Sequence, residues 1–345
     1  RPAEDAAAPA GPGFETGAVR VDSLIHPDET HFAALRQLTF GGQNAEAYWS
    51  ADDEWIVFQA TPRDGTCDQQ YVMRPDGSDL RLVSTGRGRT TCGYFVPGTE
   101  KIVYASTHLG GAACPVEPDM SQGYVWALYP AYDIFVTDPA GEALTRLTDH
   151  PRYDAEATLS RDGEWIVFTS LRDGDIDIYK MRTDGSDLTR LTDAPGYDGG
   201  PFFSYDGTKI VYRASRPETE EELADYRRLL AEDRIRPSKL DIYVMNADGT
   251  GKRRLTDNGA ANFGPYFFPS GDRVIFSSNL GDPGGREFDL WAIDLGGSNL
   301  EQVTFTGDFD GFPMFNSDGT KLIFASNRGN ELPRETNLFI ADWVD

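Results

Sequence analysis

RLTDHPRYDAEATLSRDGEWIVFTSLRDGDIDIYKMRTDGSDLTRLTD, residues 146–193, begins and ends on the same four letters. It is one complete unit of an internal repeat. Similar units begin near Arg36, Arg81, Arg190, Arg254 and Gln302, with Leu38, Val83, Leu147, Leu191, Leu255 and Val303 as the aligned apolar residues. Each unit starts with an aromatic-rich run, such as Phe202-Phe203 or Tyr266-Phe267-Phe268. Asp162-Gly163, Asp206-Gly207 and Asp318-Gly319 then mark a tight hairpin. A β-branched and aromatic run follows, such as Trp165-Ile166-Val167-Phe168. A third run, Asp177–Met181 or Asp241–Met245, leads to a second hairpin at Asp184-Gly185 or Asp248-Gly249. The RLT element closes the unit. Four short strands in roughly 45 residues is the arithmetic of a β-propeller blade. Six units predict an all-β, six-bladed propeller.

The last unit shows how the ring closes. Its third strand ends near Asn337–Ala341, and its fourth strand is missing before Asp345. The orphan RQLT around Ala33–Thr39 supplies it. The two ends of the chain then share one blade, and no ring edge stays open.

The run of aromatic stretch, S-x-DG, I-V-F-x-S, D-I-Y-x-M, DG-S and R-L-T resembles the TolB-like propeller repeat across about residues 33–342. The resemblance implies a periplasmic or secreted protein, most often a partner-binding scaffold. Fold alone does not choose among the many activities of propellers. Some similar propellers precede an α/β-hydrolase domain, but no G-x-S-x-G elbow occurs here. Members that act as polysaccharide lyases use histidine-rich metal sites. His26, His31, His108 and His150 show no such spacing. The segment 14–32 is too short for the N-terminal α/β domain of TolB. The chain therefore reads as a leader (1–13), an arm (14–32) and a propeller (33–345).

Composition narrows the function classes. The 345 residues are 39% hydrophobic and 12% aromatic, as in folded proteins. No run reaches the roughly 18 apolar residues of a membrane span. With 56 acidic and 32 basic side chains the net charge is -24. That excludes nucleic-acid binding through a basic surface and suits cations or basic partners. The Ala/Pro-rich leader and a start at Arg1 fit a processed, exported chain, in the periplasm or outside the cell. Cys67, Cys92 and Cys114 fall on one face of the disc. One disulfide with one thiol, or three thiols, both fit the count.

Two units carry insertions between their second and third strands. His108–Ala131 holds Tyr124, Trp126 and Tyr129, with Tyr132 just after. These rings are candidate ligand contacts, or they pack the loop onto its own blade. Pro217–Pro237 reads as a helix, with Thr219 and Glu222 as a capping box and an apolar stripe over Leu223, Tyr226, Leu229 and Leu230. The stripe is expected to dock on the rim.

The first strand of a blade lines the central channel. Its starting positions are Asn44, Thr90, Asp154, Asp198, Asn262 and Asp310. Asn44, Asp154, Asp198, Asn262 and Asp310 form a candidate cation ring, best suited to Ca²⁺. Caps for loop backbone are the alternative. Glu46 and Glu156, two residues further on, are candidate ligand contacts. A second ring, Gln69, Asp133, Asp177, Asp241, Asp289 and Asn337, opens the third strands and reads as structural, bonding the preceding turn. The leading expectation is a binding module for a protein or glycan partner. One alternative is an enzyme acting on extracellular glycans or peptides through Glu46, Glu156 and the channel aspartates. The other is self-assembly into oligomers or filaments.

Overall fold

The computed structural model describes residues 13–345 except 64, 66, 122, 283, 284 and 331. Nearly all of the leader lies outside the described residues. Among the described residues the strands form six antiparallel blades. Blade three shows the pattern: Asp154–Leu159, Trp165–Ser170, Asp177–Arg182 and Thr189–Arg190, paired in that order. The second strands supply a repeated core residue. Phe58, Tyr104, Phe168, Tyr212, Phe276 and Phe324 hold the same register and are fully buried. Phe58, Tyr104, Phe276 and Phe324 belong to one large hydrophobic cluster, while Phe168 and Tyr212 anchor two smaller ones.

Closure occurs as expected. Phe32–Phe40 pairs with Asn337–Trp343 and completes blade six. The arm adds something the sequence reading lacked. Glu15–Arg20 pairs outside Phe32–Phe40 as a fifth strand. Its Ala18 N–H and Thr16 hydroxyl also donate to Asp76 and Gly77 carbonyls of blade one. The arm thus latches the last blade to the first.

The second-to-third and fourth-to-first loops share one face, and both insertions rise there. The helix spans Glu220–Leu230 with the expected capping box. It ends before Pro237, because the chain turns at Asp233 (φ 54°) to make a two-residue strand, Arg234–Ile235. That strand pairs with Trp126–Ala127 of the other insertion. The insertions of blades two and four therefore clasp each other. Leu128, Tyr132, Tyr153, Tyr197, Leu230 and Ile235 pack together beneath the clasp. The helix docks, as expected, but largely on this clasp.

Candidate functional site

The starting residues of the first strands join neighbouring blades. Each backbone N–H of Asn44, Thr90, Asp154, Asp198, Asn262 and Asp310 donates to the residue preceding a third strand in the blade before. The side chains follow the same logic. Asn44 and Asn262 donate to the Thr336 and Leu240 carbonyls at 3.0 and 2.7 Å. Asp154, Asp198 and Asp310 instead pair with Arg172, Arg216 and Arg328 at 3.0, 2.5 and 2.8 Å. The carboxylates are buried and neutralised by arginine. Among the described residues no three His, Cys, Asp or Glu side chains gather as metal ligands. The ring stitches blade to blade.

The second ring is structural, but its partner differs from the expected turn. Asp177 accepts from Arg190 and Thr192, and Asp241 from Arg254 and Thr256. The Thr hydroxyls accept in turn from the Ile178 and Ile242 amides. The R-L-T letters of the repeat are this network.

The chemistry lies one step deeper. Glu46, Cys92, Glu156, Gly200, Gly264 and Phe312 occupy equivalent positions and all have φ between 49° and 58°. Each sits in a β-bulge of its first strand. Four of them are not glycine, so the left-handed backbone costs on the order of 1–2 kcal/mol at each. Groups from four blades meet here. Glu156 forms an ion pair with Arg213 of blade four and accepts from Thr169 and the Gly200 amide at 2.7 and 2.9 Å. Arg213 also donates to the Tyr197 hydroxyl at 3.0 Å and lies 4.9 Å from the Trp126 ring. Glu46 stands beside the Cys92 thiol, within electrostatic reach of both members of the ion pair. Its Oε2 is buried without a hydrogen-bond partner. Burial pushes the Glu46 carboxyl up to about 7, against the pull of the Cys92 thiol; the Glu156 charge adds to the rise and Arg213 opposes it. Burial likewise raises the Cys92 thiol well above its ordinary value, and the two glutamates reinforce that rise.

Gly200 is required twice. Its φ is 58°, and a Cβ there would lie 2.3 Å from Arg213 Nη1. Gly200→Ala is expected to lower stability by about 2 kcal/mol or more, through backbone strain and a displaced guanidinium. A urea midpoint unchanged from the parent would contradict this.

The far end of the channel is shut. Tyr48 and Phe202, from opposite blades, lie 5.5 Å apart, and Tyr94 and Tyr266 flank them at 5.6 and 5.5 Å. Opposite the polar cluster, Phe263, Phe288, Phe309 and Phe312 form an aromatic wall with centroids 5.1–6.3 Å apart. The channel thus carries charged groups on one side and aromatic rings on the other. Of the predicted loop aromatics, Trp126 reaches it through Arg213, and Tyr132 packs edge-on to Tyr153 beneath the clasp. Tyr129 anchors its own loop through the Val116 carbonyl, and Tyr124 is exposed. Glu46 and Glu156 do come together. Cys92, Arg213 and Tyr197 were missed.

Residues 118–234 match the family model described as the TolB beta propeller domain. The chain is a six-bladed β-propeller, and this stretch is similar to that family. Solved structures agree at the level of fold. A protein from Agrobacterium tumefaciens assigned as TolB has a TM-score of 0.59 and 17% identity, covering 96% of this chain and 98% of its own. TolB from Acinetobacter baumannii gives 0.54 and 16%, covering 89% of this chain and 64% of that one. An oligogalacturonate lyase in complex with manganese gives 0.54 and 13%, covering 96% and 99%. Among the described residues no helix is long and apolar enough to cross a membrane.

Proposed function

We propose that this propeller is an exported binding module whose channel mouth takes a cationic, partly apolar segment of a partner protein. The observation that carries the reading is Glu46, a carboxyl with an unpartnered buried oxygen in a channel that also holds Phe263 and Phe312. Glu156 is already matched by Arg213, so Glu46 is the acid left to meet a ligand. An amine would supply the missing donor, and the phenylalanines would cover its apolar flank. The net charge of -24 draws cationic partners toward the disc.

An array of short peptides pairing lysine with phenylalanine or leucine tests this. Hits are expected to lose tenfold or more in affinity on Glu46→Gln. Equal binding by the variant would overturn the reading. One observation favours an enzyme instead: a carboxyl pushed up to about 7 suits proton transfer at neutral pH. A polysaccharide or peptide turnover that disappears in Glu46→Gln would establish that alternative.

A further inference from the structure

Cys67 and Cys114 come from loops of different blades. Their thiols lie within electrostatic reach of each other. The surroundings hold them there. Cys67 Sγ donates to the Gly88 carbonyl at 3.0 Å, while the Gly88 amide donates to Ala112 of the insertion at 3.0 Å. Arg89 reaches from the same loop to Cys114 Sγ at 3.8 Å and pairs with Glu117 three residues later. One short segment, Gly88-Arg89, thus fixes both sulfurs. Cys92 lies in the channel beside Glu46, with Thr91 at 3.3 Å.

We infer that Cys67 and Cys114 form a disulfide in an oxidising compartment, pinning the blade-two insertion to blade one and leaving Cys92 as the channel thiol. The inference does not rest on the binding reading. The oxidant is a small-molecule disulfide. Cys114 is part exposed and Cys67 is buried, so exchange starts at Cys114. Its sulfur attacks the small disulfide, forms a mixed disulfide and expels one small thiol. Cys67 then attacks the Cys114 sulfur and expels the second small thiol. Two protein thiols are oxidised and one small disulfide is reduced to two thiols. Burial, reinforced by Cys114, pushes the Cys67 thiol up to about 12, so the second step is slow and quickens with pH.

The test uses the full chain incubated with oxidised glutathione, denatured and titrated with a thiol reagent, then digested for peptide mapping. The thiol count is expected to fall from three to one, with a linked peptide pair containing Cys67 and Cys114. Cys92→Ser is expected to end at zero. The loop closed spans roughly 50 residues, so the oxidised protein should melt about 5 °C higher than the reduced one, and Cys114→Ser should show no such difference. A count that stays at three, a linked peptide containing Cys92, or a glutathione adduct that never resolves would each overturn the inference.

Discussion

Arg328→Leu is expected to lower stability by about 3–5 kcal/mol, the largest single loss in the molecule. Arg328 is 1% exposed. It donates to both oxygens of Glu29 at 3.1 and 3.0 Å and to Asp310 at 2.8 Å. Both carboxylates are fully buried. Glu29 belongs to the arm and also accepts from the His26 and Phe305 amides. The triad therefore fastens the arm, blade six and the last inter-blade stitch at one point. Leucine preserves bulk but strands two buried charges.

The repeat itself contains the control. In blades three, four and six an Asp opens the first strand and an Arg follows eighteen residues later. Blade five has Asn262 and Leu280 at those places, and blade one has Asn44 and Pro62. Aspartate and arginine change together. Asp154→Asn combined with Arg172→Leu should therefore recover most of what Arg172→Leu alone costs. The new amide can donate to the Tyr132 carbonyl, as Asn262 does to Leu240. For Arg328, adding Asp310→Asn should recover only part, because Glu29 stays buried and uncompensated. Urea midpoints of the single and paired variants decide it. Additive losses in blade three would mean that the arginine acts through packing alone.

That covariation was open to view in the sequence. The ring was read down one column for ligand chemistry, and Asp/Asn at one height does look like oxygen ligands. Reading position pairs instead of columns would have assigned Arg172, Arg216 and Arg328. The fold was legible because hydrophobic runs recur in six units and Asp-Gly turns mark the first hairpin in three blades and the second in three. The clasp was not, since two-residue strands such as Trp126–Ala127 carry no periodicity. The channel site was half legible. Glu46 and Glu156 stood out, but a left-handed bulge at a non-glycine residue has no sequence mark. Arg213 comes from a second strand whose neighbours are all core residues, so nothing in its local pattern pointed inward.

Glu46→Gln is expected to stabilise the protein at pH 8 while abolishing binding of the cationic segment proposed for the channel. The carboxyl is held at about 7 in the folded state, above the roughly 4.5 of an unfolded chain. Its neutral form is the favoured one in the fold, so the folded state binds more protons than the unfolded between those values. Stability from this group is full below about pH 4.5, declines as pH rises toward 7, and levels off above. Partial contact with channel solvent reduces the effect, leaving about 2 kcal/mol at pH 8. Glutamine keeps the shape and carries no charge to desolvate. The two proteins should therefore melt alike at pH 4 and diverge by pH 8, with the variant higher. Asp198 and Asp289, also pushed up to about 7 chiefly by burial, bend both curves downward together and cancel in the difference. A cation reverses the balance, because it is matched only by the ionised carboxylate. Its affinity for the parent should rise through pH 7, with release of a proton, and should be flat for the variant. A variant less stable than the parent at pH 8 would mean that Glu46 already has a partner. The cluster would then be a structural plug, and the strained bulges would serve only to seal the channel.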